Sequence, residues 1–153
     1  EGSLTLNLSP ITVGTHTACE LNVPGVTQIE VPVVTLDKFV SKEKLDVDLL
    51  KIDVEGYEGF VLQGAKDLIV KQKPTIFMEY LPDLMSRSDF DINDLRSLLF
   101  DHYKYCFVVD EMAQAITEID VKGLDLTSFS GNIILTHKQK HTDFVRSQIS
   151  AKG

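Results

Sequence analysis

Three acids stand where chemistry is easiest to build. Asp53 and Glu55 close the apolar run in VDLLKIDVEGYE, and Glu79 closes the run PTIFMEY. Carboxylates at the mouth of a pocket can orient a hydroxyl, accept its proton or gather around a hard cation. An acid ahead of a helix can also do no more than cap it. Both Asp53 and Glu55 precede an amphipathic segment, so capping stays open for each. Glu79 is less open to that reading, because no obvious helix follows PTIFMEYLP. Lys51 alternates onto the strand face of Asp53 and reads as its neutralising partner, with a catalytic lysine as the weaker reading.

The other usual constellations are missing. Among His16, His102, His137 and His141 only the last two share an i, i+4 spacing. His137 closes a strand, which removes the continuous helix such a pair needs, and no metal site is expected there. There is no G-x-S-x-G, no P-loop and no G-x-G-x-x-G. The net charge of −8 argues against nucleic-acid and anionic-membrane partners, which need a basic face. The basic stretch THKQKH reads as a solvated end. No run approaches the ~18 apolar residues of a membrane span, and no signal-peptide pattern opens the chain. Cys19 and Cys106 read as two free thiols in a reducing compartment, hence a cytoplasmic protein, with a single disulfide as the alternative. The sequon Asn7-Leu8-Ser9 then has no glycosylation meaning.

These acids need elements to position them. With 153 residues, 43% of them hydrophobic and 25% charged, the chain reads as one domain, 1–153, of ordinary globular composition. A β hairpin region is expected over 1–35. Leu4, Leu6 and Leu8 alternate with polar residues, and QIEVPVVTL is extended again, its Pro32 pointing to an edge or a bulge. An α/β core is expected over 36–153. LDKFVSKEKL forms a short helix capped by Thr35, and VDLLKID reads as a strand covered on both faces. Tyr57 to about Val70 reads as one helix, with Val61, Ala65 and Leu68 on one side. PTIFMEY is the next strand, so the unit is strand, crossover helix, parallel strand. DINDLRSLLFDHY supplies another helix. YKYCFVVD, QAITEID and GNIILTH are further strands, and the residues around Phe144, Val145 and Ile149 form a terminal helix. Ligands of such sheets bind beyond the carboxyl ends of the strands, where Asp53, Glu55 and Glu79 fall together if the two strands are neighbours.

The stretch VDLLKIDVEGYEGFVLQGAKDLI, followed by PTIFMEY, resembles the FkbM family of S-adenosylmethionine-dependent methyltransferases. The pattern is LLKIDVEG, then a glutamate, then V-L-x-G-A, a proline and a strand ending in glutamate. EGSLTLNLS and VPVVTLDKFV are similar to that family as well, so the likeness covers residues 1 to 80. It implies a Rossmann-like sheet of seven strands with the last inserted antiparallel, VDLLKID being the fourth strand and PTIFMEY the fifth. In that family a glycine-rich loop after the first strand holds the cofactor, and an acid after the second holds its ribose. Neither is found here, and the chain opens on Glu1. The expectation is therefore an incomplete sheet, the C-terminal part of a methyltransferase whose main cofactor loop lies outside this chain. VDLLKID would then be an edge needing cover from an N-terminal half or a second chain.

The resemblance implies methyl transfer to the hydroxyl of a small molecule, a sugar or natural product. Asp53 is the first candidate to orient that hydroxyl or take its proton, then Glu55 and Glu79, and Tyr57 and Tyr80 are candidates to line the acceptor pocket. Two other readings stay open. One is a non-catalytic binding or assembly domain that uses the sheet edge. The other is a metal-dependent hydrolase built on the same three acids.

Overall fold

A computed structural model describes residues 2–11, 13–126 and 128–150; the opening residue Glu1 lies outside them. The chain is a mixed α/β structure. The first two strands, β1 (Gly2–Leu8) and β2 (Thr27–Val33), pair antiparallel as a two-stranded sheet. Leu4, Leu6 and Leu8 are half-buried on it. Pro32 costs no ladder bond, because Asn7 turns its N–H and C=O to Thr17 and alternation then makes Ser3 and Pro32 a non-hydrogen-bonded pair as well. Thr17 of the long connection bridges to Asn7 of β1, and the buried Asn7 side chain donates to the Cys19 carbonyl at 2.7 Å and accepts from Gln28 at 2.8 Å. The Cys19 and Cys106 thiols are both buried and free.

Helix α1 (Leu36–Glu43) starts at Thr35, whose side chain accepts from the Lys38 N–H at 3.3 Å. Strand β3 (Leu49–Ile52) follows, then α2 (Glu58–Gln63), α3 (Lys66–Gln72) and β4 (Thr75–Tyr80). The single helix expected after Tyr57 is thus two helices. The break is at Gly64, whose carbonyl accepts from the Asp37 N–H at 2.9 Å. The Asp37 carboxylate then accepts from Asp67 N–H at 3.0 Å and Leu68 N–H at 2.8 Å, capping α3 from a different helix.

After β4 come α4 (Pro82–Met85), α5 (Ile92–Leu95, running on through a π turn at Arg96–Phe100), β5 (Tyr105–Asp110), β6 (Ala115–Ile119), β7 (Gly131–Thr136) and α6 (Gln139–Ser150). The main sheet has the order β3-β4-β7-β5-β6. Strands β3 and β4 are parallel, while β7 is inserted antiparallel to both β4 and β5.

Register explains the two faces of this sheet. The row Ile52, Met78, Ile133, Val108 and the row Leu50, Ile76, Leu135, Cys106 meet Leu62, Ala65, Leu68 and Ile69 of the crossover helices in the main core. The opposite face carries Lys51, Phe77, Ile134 and Phe107. Helix α6 lies against β6 and β7, and its Arg146 forms a two-pronged pair with Glu118. Strand β3 is therefore not covered on both faces. It is an edge strand, and Leu49 is 62% exposed.

The stretch THKQKH is not a solvated end. Asp48, just ahead of β3, pairs with Lys138 and lies 3.1 Å from His141 Nε2, and His141 Nδ1 meets the Thr75 hydroxyl at 2.6 Å. With Lys140 Nζ also 3.8 Å away, this acid faces three basic groups and ties α6 to the start of the sheet.

Candidate functional site

The three sequence-predicted acids converge. Asp53 continues the Lys51 side of β3, and Glu79 stands on the same sheet face of β4, since Lys51 and Phe77 are register partners. Glu55 sits on the intervening loop. One carboxylate oxygen from each of Asp53, Glu55 and Glu79 lies within 4.8 Å of the others. Lys51 Nζ lies 2.5 Å from Asp53 Oδ2, so the neutralising reading of Lys51 matches the geometry.

The loop that holds Asp53 and Glu55 is fixed from three directions. Glu55 has a φ of +54°, in the left-handed region that non-glycine residues seldom occupy. Its carbonyl accepts from the Thr17 hydroxyl at 2.6 Å, which ties the loop to the β1–β2 connection. Gly56 follows with a φ of +96°, and a Cβ there would stand 2.9 Å from the backbone of Leu84. From beneath, Glu58 Oε1 accepts from Val54 N–H at 3.1 Å and from Gly56 N–H at 3.2 Å.

Glu58 is the residue that sequence reading missed. It is fully buried and accepts from the amides on either side of Glu55, while α2 begins with Tyr57 at its cap position and no side-chain cap bond. The capping alternative for those two acids is therefore not realised. The available signal was a second acid three residues after Glu55, one of the residues in the quoted motif.

The electrostatics follow from crowding. Burial, then the charges of Asp53 and Glu58, push the Glu55 carboxyl above its usual range. Burial also raises Glu79, followed by the charges of Asp53, Glu55, Glu58 and Glu111. Both groups hold a proton more readily than a free carboxylate does.

A cavity of about 580 Å³ opens beside Asp53, between the hairpin and the start of α2. Its walls are mostly apolar, from Leu4, Leu6, Val33 and Val34, with His16 and Tyr57 among the polar contributors. His16 Nδ1 accepts from Ser9 N–H at 3.0 Å, so a neutral imidazole carries its proton on Nε2 and is a donor there. His16 was not singled out in sequence reading, because its partner is a backbone N–H in a loop.

The two tyrosines separate. Tyr57 lines the cavity, its ring 4.7 Å from that of Phe60. Tyr80 is buried in the core, where its hydroxyl donates to the Leu126 carbonyl and its ring stacks on Phe129. Burial pushes the Tyr80 hydroxyl up to about 12. Alternation explains this, because Tyr80 shares the face of Ile76 and Met78, opposite to Glu79. His137 and His141 do not pair, since His141 is committed to Asp48 and Thr75. No helix among the described residues is long and apolar enough to cross a membrane.

A family model described as a methyltransferase FkbM domain matches residues 3–107, a span that contains the hairpin, the loop and all three acids. No curated protein and no solved structure matches the chain.

Proposed function

The chain belongs to the FkbM family of methyltransferase domains, and from that membership we propose that its acidic rim is the acceptor side of an S-adenosylmethionine-dependent O-methyltransferase. The acceptor is a hydroxyl of a sugar or natural product. The observation that carries this reading is the convergence of Asp53, Glu55 and Glu79 beside a mostly apolar cavity inside the matched span.

Transfer of a methyl group to a hydroxyl depends on close positioning, and it leaves a proton that a base must take. Asp53, oriented by Lys51, accepts the hydrogen bond of the acceptor hydroxyl. Glu55 and Glu79, both raised by burial and then by the charge of Asp53, take up the proton. Tyr57 and the hairpin side chains hold the body of the acceptor, and His16 Nε2–H can donate to one of its oxygens.

The described residues do not by themselves hold S-adenosylmethionine. Its carboxylate calls for free N–H groups at a helix start or glycine-rich turn. Here two N–H groups of the loop ahead of α2, those of Val54 and Gly56, are taken by Glu58, and the sequence has no G-x-G-x-x-G. We place the cradle on a segment that pairs with the open edge of β3, where Leu49 is exposed. The five-stranded sheet is then the later part of a Rossmann-like sheet, a reading supported by the antiparallel insertion of β7 between β4 and β5. The same open edge supports a second reading, an assembly module without catalysis.

Two measurements test this. Calorimetric titration of the chain with S-adenosylmethionine is expected to show no saturable binding in the low micromolar range, and submicromolar binding would refute the external cradle. Methyl transfer by the protein expressed from its own locus is expected to fall at least about a hundredfold with Asp53→Asn, the usual contribution of a positioned acid or base. Unchanged turnover would remove Asp53 from the reaction, and absence of transfer by the wild type to any hydroxyl acceptor would favour the assembly module.

A further inference from the structure

Hydrogen bonding alone does not account for Glu58 being an acid. Its Oε1 accepts from the amides on either side of Glu55, Val54 N–H at 3.1 Å and Gly56 N–H at 3.2 Å. A glutamine carbonyl oxygen has the same two lone pairs and would accept both, with no charge to bury. The Glu58 Oε2 is buried and meets no hydrogen-bond partner among the described residues, so neither a donor nor water quenches the charge on that side. An unquenched charge in a low-dielectric interior acts strongly on ionisable neighbours. Above it stand the rim acids. Glu55 lies between the two gripped amides, and one carboxylate oxygen from each of Asp53, Glu55 and Glu79 lies within 4.8 Å of the others.

We propose that Glu58 is a positioning residue with two tasks: its Oε1 holds Glu55 at the rim, and its negative charge beneath the loop sets how readily Glu55 and Glu79 take up a proton. The first task shows in the backbone, since Glu55 keeps its left-handed φ of +54° between the two amides that Oε1 grips. The second follows from like charges at close range, where a neighbouring carboxylate favours the protonated form. Burial and then the charge of Asp53 raise both Glu55 and Glu79, and the charge of Glu58 adds to each. The other groups facing the rim are accounted for. Lys51 offsets Asp53, Glu111 accepts from Asn132 at 3.0 Å and adds to Glu79, and His16 and Tyr57 stand on the cavity wall beside Asp53. The use of this proton affinity in methyl transfer rests on the methyltransferase reading, but the coupling of Glu58 to the rim does not.

The test uses the chain alone, with carbon-labelled glutamate carboxyls followed by NMR as the pH is varied. Glu58→Gln keeps the accepting oxygen and removes the charge. In it the Val54 and Gly56 amides should keep their protection from hydrogen exchange, while the titration midpoints of Glu55 and Glu79 both fall. Glu58→Ala removes the acceptor as well and should lose that protection. Asp67→Asn, which removes an acid paired with Lys71 on α3, should leave both midpoints where they are. Circular dichroism confirms that each variant folds. Unchanged midpoints in a folded Glu58→Gln overturn the proposal, as does loss of amide protection there or its retention in a folded Glu58→Ala. If Glu58→Gln does not fold, the wild-type Glu58 carboxyl carbon decides at neutral pH: a carboxylate signal supports the proposal and a protonated one overturns it. Because no methyl donor or acceptor is present, a failed transfer assay and a failed carboxyl titration are separate results.

Discussion

Gly56→Ala gives the sharpest check on how the rim is held. Two costs meet at this position. The φ of +96° is one that side chains seldom adopt, and a residue forced into left-handed space costs roughly 1 to 2 kcal/mol. The new Cβ would also stand 2.9 Å from the Leu84 carbonyl carbon, carbonyl oxygen and Cβ. Two of those atoms are backbone and cannot swing aside, so the loop or α4 must shift, an overpacking cost of about 1 to 3 kcal/mol. The sum is about 2 to 5 kcal/mol. At about 2 to 4 °C per kcal/mol for a chain of this length, melting should fall by roughly 4 to 20 °C. Urea unfolding and thermal melts followed by circular dichroism measure it. Gly123→Ala is the control, because the Asp120 Cβ, 3.9 Å away, is its nearest neighbour and its φ is ordinary. Leu84→Ala should not rescue Gly56→Ala, since the backbone contacts remain. A Gly56→Ala protein within about 0.5 kcal/mol of wild type, the range of a neutral surface change, would refute the account of the loop.

Two further outcomes follow from the same geometry. Asp37→Ala removes the acceptor for Asp67 N–H and Leu68 N–H and should cost about 1 to 2 kcal/mol, the usual loss for a helix cap; a urea midpoint equal to wild type would show that α3 caps itself. Asp48 sits below its ordinary value of 3.8, chiefly because Lys138 donates to it, with the charges of Lys138, His141 and Lys140 adding. A depressed carboxylate stabilises the fold above its unfolded value and loses that contribution as pH falls through the lower folded one. Asp48→Asn should therefore flatten the acid limb of the stability curve between about pH 5 and 2; an unchanged limb would detach the α6 clamp from acid unfolding.

Local pattern carried the elements, and distance in the chain decided what stayed hidden. The alternation of Leu4, Leu6 and Leu8, the cap at Thr35 and the apolar runs around Leu50 and Ile76 depend on near neighbours, so their strands and helix were legible. The rim acids were legible for the same reason, each lying at or just past the end of an apolar strand run. The split between α2 and α3 was not, because its cause is Asp37, thirty residues away in sequence. Asp48 tying down Lys138 and His141 spans ninety residues, so THKQKH read as a free basic end. Tyr80 was misplaced on a finer point. It follows Glu79 directly, and alternation along a strand sends one residue to the rim and the next to the core. Glu58 stayed hidden because an acid in the first turn of a helix is ordinarily exposed, and only the loop above it closes it in.

That enclosure distinguishes a functional arrangement from a merely tolerated one. Four carboxylates crowd one loop, the helix start below it and one strand end, and burial makes the charges of Glu55 and Glu79 harder to keep. A chain under no demand but stability would disperse them or give each a cation. Instead Thr17 fixes the carbonyl of Glu55, Leu84 leaves room at position 56 for nothing larger than glycine, and Glu58 uses one oxygen to hold the loop amides while the other meets no partner among the described residues. Three separate parts of the fold thus hold like charges together against their repulsion. Local conflict sustained by the surrounding structure is the usual mark of a functional site.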